Sequence, residues 1–586
     1  MSAEDVEALT KLVGERFAQE LVEQYKSFLS ITPEQKPQVI TSDPIEDKSA
    51  RGPIHQEVRR IFQSKIDTST AASGAITAQL VLPRKGKKRG RGGGGGGRGP
   101  QEKPAGEYLH FTLVKDNRDT MDAVNQISRI LRAKPQSIGY AGTKDRRATT
   151  AQRCSVRYTN QRSLAGINGK LWGIVTGDYE YKNTPIHLGQ LLGNEFAIVL
   201  KHCQILEDNT TTTIDEKVAL LQKNVGASLD HMAQHGWINY FGHQRFGTHQ
   251  IGTHDIGKLI LADKFEEAVN SLLDYDPEIA QQAEEGKLPE DIAKKDDSIR
   301  QHACMLFRTG RDIKRAIELM PRRFGAETCV LRHLTRGGAS SMQDYVGALT
   351  HITRGLRSMY MHAYQSYVWN HAASKRWDEH GNKVIAGDLV IAETEATPLI
   401  AGQDQDGDDI INPVEDDDEA PVRARPLSEE EVSSGRYTIN DIVLPTPGYE
   451  VVYPANAIGK YYEELMAADG LDPHSMQRRR REFSLPGRYR KLMNRFLGTP
   501  SIEFKTYVDD TEQMHPTDVD RIRAAKEDDG REAKRAKTET DTEEANGKEA
   551  DLTPKIAAVV KFQLGRSAYA TVTLRELMGD TLESDN

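Results

Sequence analysis

Apolar and polar positions alternate most regularly between residues 108 and 158. YLHFTLVK (108–115) has the pattern of a strand, and DTMDAVNQISRILRA (119–133) has the apolar spacing and acidic start of a helix. IGYA (138–141) is a short strand, GTKDRRATT (142–150) a loop, and QRCSVRY (152–158) an alternating strand. The pattern therefore predicts a loop of unusual composition held between two strands.

The remaining pattern changes from strands to helices and back. Residues 1–33 have helical spacing, and strands and helices alternate over 34–235. Helical periodicity dominates 236–493, and strand patterns return in 494–586. The order of sheet, helices and sheet predicts an α/β protein with a mostly helical domain carried between two parts of a sheet-containing domain.

Three segments are so rich in charged residues or glycine that their composition does not fit a packed helix or strand. RKGKKRGRGGGGGGRGP (84–100) has seven basic residues and six consecutive glycines, which predicts a disordered basic loop. Residues 401–425 form a predicted acidic loop, and 512–553 a predicted disordered insert. Nine acidic residues in 401–420 account for the net charge of −9, so the rest of the chain carries no net charge. The charge of the chain is therefore compatible with a nucleic-acid partner.

Several classes of protein are disfavoured by composition. No apolar run approaches the ~20 residues of a membrane span, and the acidic start lacks a secretory signal, so we expect an intracellular protein with no membrane partner. The four cysteines form no CxxC pair. His243, His249, His254 and Asp255 do not have the spacing of a zinc site, so we expect no metal.

The loop GTKDRRATTAQ (142–152) carries the clearest candidate chemistry. Asp145 is flanked by Lys144, Arg146 and Arg147, and such cations keep a carboxylate ionised and also bind phosphates. The alternative is a surface loop in which the aspartate forms a local ion pair with arginine.

Aromatic residues mark two further stretches. INYFGHQRFGT (238–248) combines aromatic rings with Arg245, which favours either RNA contact or an aromatic domain junction. MYMHAYQSYVWN (359–370) places Tyr360, Tyr364, Tyr367 and Trp369 at helical spacing, which is more typical of a core than of a ligand site.

Taken together, these stretches resemble the eukaryotic branch of the TruD family of pseudouridine synthases. GTKDRRATTAQ (142–152) matches the family's catalytic motif, NYFGHQRFG (239–247) its second signature, and LGQLLGNEFAIVL (188–200) a characteristic strand. Branch motifs follow in order at 362–370, 387–390, 444–449, 484–491 and 567–576.

The resemblance implies an α/β (α+β) pseudouridine synthase catalytic domain with a mixed, largely antiparallel sheet. It would be assembled from 34–235 and 494–586, with the family's mostly helical TRUD insertion domain at 236–493. RNA would bind in the cleft between the two domains.

The implied reaction isomerises uridine in RNA to pseudouridine and needs neither a cofactor nor a metal. Asp145 would be the catalytic carboxylate, attacking C1′ or removing the C2′ proton; these two routes stay open. Phe196 would stack on the uridine and Asn194 would bind within the site. The other substrate-binding residues implied are Lys144, Arg146, Asn239, Gln244 and Arg245.

The resemblance also implies partners and location. The substrates expected are tRNA, at position 13 and in the anticodon of a tyrosine pre-tRNA, together with small nuclear RNA and messenger RNA. We expect a monomer that is nuclear and also cytoplasmic, with RKGKKRGR (84–91) and AKRAK (533–537) as candidate import signals.

One family feature has no counterpart here. The family's first strand, of the form G-x-x-K followed by D-F, precedes all the matched motifs, and its lysine lies near the active site. We expect that the coding sequence upstream of Met1 supplies this strand. The alternative function is an RNA-binding or RNA-chaperone protein whose catalysis is impaired by the missing lysine.

Overall fold

A computed structural model describes most of the chain outside its low-complexity segments. The described residues are 9–10, 12–27, 39–45, 54–55, 57–58, 61–62, 65–71, 74–80, 106–205, 213–247, 251–338, 341–392, 423–478, 480–531 and 553–579. The basic loop 84–100, the acidic segment 401–420 and the candidate import signals lie outside them. The acidic loop was predicted too long at its end, because Ala424–Pro426 form a strand.

Strands and helices are numbered here along the described residues. The strands are β1 Val39–Thr41, β2 Ile66–Thr70, β3 Ile76–Leu80, β4 Tyr108–Asp116, β5 Ile138–Tyr140, β6 Thr149–Arg157, β7 Ile174–Lys182, β8 Gly193–Leu200, β9 Trp237–Ile238, β10 Leu389–Ile391, β11 Ala424–Pro426, β12 Ile442–Thr446, β13 Arg488–Lys491, β14 Met493–Asn494, β15 Ser501–Tyr507 and β16 Lys555–Gly565. The helices are α1 Glu15–Ser27, α2 Thr120–Leu131, α3 Gln161–Ala165, α4 Ile214–His235, α5 Thr253–Leu261, α6 Phe265–Leu272, α7 Pro277–Glu284, α8 Ile292–Arg308, α9 Ile313–Leu319, α10 Gly325–Thr335, α11 Tyr345–His351, α12 Arg354–His380, α13 Glu429–Ser433, α14 Ala457–Ala468, α15 Asp518–Arg531 and α16 Ala570–Met578.

The chain divides into two compact units. Unit 1 comprises 1–190, 398–418 and 517–534, and unit 2 comprises 191–397, 419–516 and 535–586. The division at Gln190 and Leu191 falls inside the segment 34–235, which the sequence assigned to one part of the catalytic domain. The assembly of that domain from 34–235 and 494–586 stays a prediction.

Unit 1 contains a four-stranded antiparallel sheet in the order β5-β6-β4-β7. Helix α2 packs its apolar face on this sheet, and the Asp119 side chain caps its first turn by accepting hydrogen bonds from Met121 N and Asp122 N. Strands β4 and β6 pair from Tyr108 with Arg157 to Asp116 with Thr149. The loop predicted over 142–150 was therefore two residues too long at its end, because β6 begins at Thr149, and residues 142–148 lie beside the end of β4. A smaller sheet, in the order β1-β3-β2, packs with α1.

Unit 2 contains a three-stranded antiparallel sheet, in the order β15-β16-β8, that packs against α4 and α16. Its largest core lies among helices α5 to α14, where Tyr364, Trp369 and Tyr462 are fully buried. Tyr360, Tyr364 and Trp369 of the aromatic stripe are therefore core, as predicted, whereas Tyr367 is half-buried. Antiparallel sheets together with many helices confirm the α/β class.

The prediction of a disordered insert over 512–553 is wrong for its first part. Residues Asp518–Arg531 form α15, although the segment is polar. Thr517 explains the start of the helix, because its hydroxyl accepts from Asp520 N at 3.2 Å while the Asp520 carboxylate accepts from Thr517 N at 2.8 Å. Val519 is buried and anchors the first turn.

Candidate active site

Asp145 lies in the loop between β5 and β6 of unit 1, as the sequence predicted, and its side chain is exposed. Two side chains hold the loop. Thr120 Oγ1, in the first turn of α2, accepts a hydrogen bond from Lys144 N at 3.0 Å. Gln152, on β6, donates through Nε2 to the Gly142 carbonyl at 3.0 Å. The carboxylate is thus presented to solvent from a backbone that helix and strand both restrain.

A buried lysine that was not among the predicted site residues supports the same loop. Lys115 ends the apolar part of β4 and is fully buried. Its Nζ donates to the carbonyl of Asp145 at 2.7 Å, of Lys144 at 3.1 Å and of Arg118 at 2.7 Å. The signal in the sequence was a lysine near the end of a strand in which most residues are apolar. Lysines are rarely buried without partners, so such a position indicates a lysine with specific contacts.

The charges around the loop act on one another. Burial lowers the pKa of Lys115, and the negative charges of Asp119 and Asp145 oppose that decrease. Burial also lowers the pKa of Lys144, against the charge of Asp145. Asp145 therefore interacts with two lysines whose ammonium groups are partly removed from water, where charge interactions are less screened. Arg146 is exposed on the same loop.

Asn194 and Phe196 lie on β8 of unit 2, two residues apart and hence on one face of the strand. Phe196 is half-buried, and its ring centroid is 5.5 Å from that of Phe562 on β16. The aromatic contacts continue from Phe562 to Phe496 at 5.8 Å and from Phe496 to Trp237 at 4.7 Å. Phe196 therefore ends a row of packed rings and keeps part of its own ring accessible.

The second signature is organised around Arg490, on β13. Its Nε donates to the Asn239 carbonyl, one terminal nitrogen to Asn239 Oδ1 and the other to the Ser567 carbonyl, each at 2.8 Å. Its guanidinium also lies 4.2 Å from the ring centroid of Phe241. Burial lowers the pKa of Arg490 to about 10, so the side chain is charged at neutral pH. Arg490 was not among the predicted site residues, although it lies in the matched motif 484–491.

The remaining predicted residues of this signature differ in exposure. The Asn239 amide is engaged within the protein, since Nδ2 donates to the Lys491 carbonyl at 3.2 Å and Oδ1 accepts from Arg490. Gln244 is exposed, while Arg245 is half-buried and lies 5.9 Å from the Phe241 ring centroid. A glycine is required at Gly242, because a Cβ there would lie 2.8 Å from a Tyr569 ring carbon.

The structure thus places the predicted site residues in two groups. Lys144, Asp145 and Arg146 share one loop of unit 1. The others lie in unit 2, on β8 and in the second signature: Asn194, Phe196, Asn239, Gln244 and Arg245. That the two groups act on one uridine stays a prediction.

The described residues contain neither a metal-binding cluster nor a membrane-spanning helix. No group of three or more histidine, cysteine, aspartate or glutamate side chains is arranged there to hold a metal ion. His254, from the histidine-rich stretch, is instead stacked on Tyr367 with a centroid distance of 4.8 Å. In the same part of the chain, none of the helices has both the length and the apolar content needed to cross a bilayer.

The sequence is similar to a known protein family and to named proteins. A family model described as tRNA pseudouridine synthase D (TruD) matches residues 96–577. The chain is 35% identical over 552 residues to multisubstrate pseudouridine synthase 7 of Schizosaccharomyces pombe, covering 91% of this chain and 70% of that protein. It is 31% identical over 538 residues to the human pseudouridylate synthase 7 homolog, covering 91% of this chain and 68% of that protein.

A solved structure also aligns with the chain. The crystal structure of a TruD protein from Methanosarcina mazei has a TM-score of 0.48 and 23% identity, covering 82% of this chain and 90% of that chain. The chain spans about two thirds of the length of the curated relatives it matches.

The family model and the relatives define an enzyme class, the pseudouridine synthases, which isomerise uridine in RNA. Within that class, the chain belongs to the TruD family.

Proposed function

We propose that this chain converts specific uridines to pseudouridine in tRNA, at position 13 and in the anticodon of a tyrosine pre-tRNA, and also modifies small nuclear RNA and messenger RNA. The description of the family model as a tRNA enzyme supports the first substrate. The name of the fission yeast relative, a multisubstrate synthase, supports more than one RNA.

The single observation that carries the chemistry is an exposed Asp145 on a loop whose backbone is bound by a buried ammonium group. The bond between C1′ and N1 of uridine breaks, the uracil turns, and a bond forms between C1′ and C5. The proton on C5 is lost and N1 gains one, so the reaction is an isomerisation without net gain or loss of atoms. Asp145 acts on the sugar, either by attacking C1′ or by removing the C2′ proton.

The uridine must leave the RNA stack to meet Asp145, which costs a few kcal/mol. An accessible aromatic ring offsets part of that cost by stacking on the uracil. Phe196 is suited to this role because Phe562 supports one part of its ring while another part stays accessible. Asn194, on the same face of β8, supplies hydrogen bonds, and Lys144, Arg146 and Arg245 bind the phosphates.

The test of Phe196 is a truncation compared with a conservative change. Phe196→Ala is expected to slow turnover about five- to a hundredfold, because stacking on a base contributes ~1–3 kcal/mol. Phe196→Tyr keeps the ring and is expected to retain most of the rate. The measurement is single-turnover pseudouridine formation in a tRNA transcript. An alanine variant with the wild-type rate would show that Phe196 serves only to pack against Phe562.

The overall proposal is tested by the product. Purified chain is incubated with unmodified tRNA transcripts, a small nuclear RNA and a messenger RNA fragment, and pseudouridine is mapped at single-nucleotide resolution. Pseudouridine at position 13 or in the tyrosine pre-tRNA anticodon supports the proposal. RNA that is bound but unmodified in every transcript would instead favour the RNA-binding alternative.

A nuclear and cytoplasmic location and a monomeric state are further parts of the proposal. The basic runs 84–91 and 533–537 support nuclear import. Imaging of a fluorescent fusion, with these runs intact or changed to glutamine and serine, tests the location, and an exclusively cytoplasmic intact fusion would contradict it. Light scattering tests the monomer, which a mass near twice 65.4 kDa would contradict.

A further inference from the structure

Unit 1 exposes a tryptophan that the proposed chemistry does not use. Trp172 is 69% exposed and precedes β7. The Arg118 guanidinium lies 5.5 Å from the centroid of its ring. Arg118 is fixed in that position, because Nε donates to the Trp172 carbonyl at 2.8 Å and Nη1 to the Asp122 carboxylate at 2.9 Å. The indole therefore has a cation beside it that does not have to be ordered on binding.

The backbone next to Trp172 is restrained as well. The neighbouring Gly173 accepts a hydrogen bond from Asp116 N at 2.9 Å, at the end of β4. Gly173 has φ +67°, and a Cβ there would lie 2.9 Å from the Asp116 carbonyl oxygen, so only glycine fits. Trp172 is thus an exposed aromatic ring on a fixed piece of chain.

This position adjoins the Asp145 loop. Lys115 Nζ binds the Arg118 carbonyl and the Asp145 carbonyl, each at 2.7 Å, so these two backbone segments are joined through one ammonium group. Three exposed basic residues lie on the same two segments or next to the tryptophan: Arg146, Arg147 and Lys170. An exposed ring among basic residues is the arrangement that binds an unstacked base and its phosphate.

We propose that Trp172, supported by Arg118, stacks on an RNA base that flanks the target uridine. This inference rests on the proposed function, because it assumes that the uridine reacts at the Asp145 loop. The base occupies the exposed part of the indole, and the basic residues bind the adjoining phosphates. Stacking accepts every base, so Trp172 contributes affinity and holds the flanking nucleotide in place.

The test compares Trp172→Ala with Trp172→Phe and with a matched control. Tyr158 is the control, because it is 78% exposed and has the Arg157 guanidinium 4.7 Å from its ring centroid. It follows the far end of β6, about 30 Å along the strand from the Asp145 loop. The probes are a tRNA transcript containing the target uridine and a set of transcripts with a single abasic site at each flanking position.

Trp172→Ala is expected to weaken binding of the intact transcript about five- to a hundredfold, while Trp172→Phe and Tyr158→Ala bind nearly as the wild type. An abasic site at the stacked position should weaken binding of the wild type and cause no further loss in Trp172→Ala. RNA should also quench tryptophan emission of the wild type more than that of Trp172→Phe, a readout independent of the alanine variant's stability.

Three results would overturn the inference: wild-type affinity of Trp172→Ala, an equal loss in Tyr158→Ala, or an additive loss at every abasic position. Binding and fluorescence are measured separately from product. If the wild-type chain forms no pseudouridine but Trp172→Ala still weakens RNA binding, the result contradicts the proposed function and supports the stacking. If Trp172→Ala binds RNA and forms pseudouridine as the wild type does, the result contradicts the stacking and not the proposed function.

Discussion

Replacing Asp145 with asparagine is expected to reduce pseudouridine formation at least about a thousandfold while leaving RNA affinity nearly unchanged. Asparagine has almost the same volume but can neither attack C1′ as an anion nor take up the C2′ proton. The Asp145 side chain is exposed, and the contacts that hold the loop use backbone atoms of residues 142, 144 and 145. The substitution should therefore remove the chemical step and preserve the fold.

The measurement is single-turnover product formation beside RNA affinity and thermal unfolding. Glu180→Gln is a matched control, because Glu180 is an exposed carboxylate on β7 that pairs with Lys182 at 3.1 Å. It should turn over as the wild type does. An Asp145→Asn variant that forms product at a tenth of the wild-type rate would remove Asp145 from the mechanism.

Replacing Lys115 with methionine is the second large effect expected. Methionine keeps an unbranched apolar side chain, but the carbonyls of Arg118, Lys144 and Asp145 lose their shared donor. The loop should then shift, and a displacement of about 1 Å at a reacting group costs on the order of a hundredfold in rate. The lost donor should also lower the free energy of unfolding by about 1–3 kcal/mol.

Separate measurement of kcat and KM distinguishes a positioning role of Lys115 from a general loss of stability. At a temperature well below unfolding, Lys115→Met should lower kcat by a larger factor than it raises KM for RNA, because Lys115 itself is buried and affects RNA binding only through the loop it holds. Lys182→Met, at an exposed lysine of β7, is the control and should change neither value. A variant with full kcat and only a lower unfolding temperature would show that Lys115 is purely structural.

The Asp145 loop and the aromatic core helix were both predictable from the sequence. Strand alternation on both sides of GTKDRRATT placed Asp145 between β5 and β6, where the structure has it. The helical spacing of Tyr364 and Trp369 predicted burial, and both are fully buried. These features are local, because strand and helix periodicity arises from backbone geometry that neighbouring residues share.

Helix α15 was not predictable from hydrophobic pattern, because a polar segment gives little amphipathic signal. Its visible determinants are a Thr517–Asp520 capping pair and one buried valine. A capping pair alone is common in loops, so contacts with the rest of unit 1 are needed to select the helix.

The sequence by itself determined the family, the α/β class and the identity of the candidate carboxylate, because short motifs and periodic patterns record them directly. Only the tertiary structure decided that Lys115 binds the Asp145 loop and that Arg490 binds the second signature. Both cations act on backbone carbonyls, some of them far along the chain: Lys115 on residues 144 and 145, and Arg490 on residues 239 and 567. Every residue carries the same carbonyl, so side-chain identity holds no record of which ones a buried cation will meet once the chain has folded.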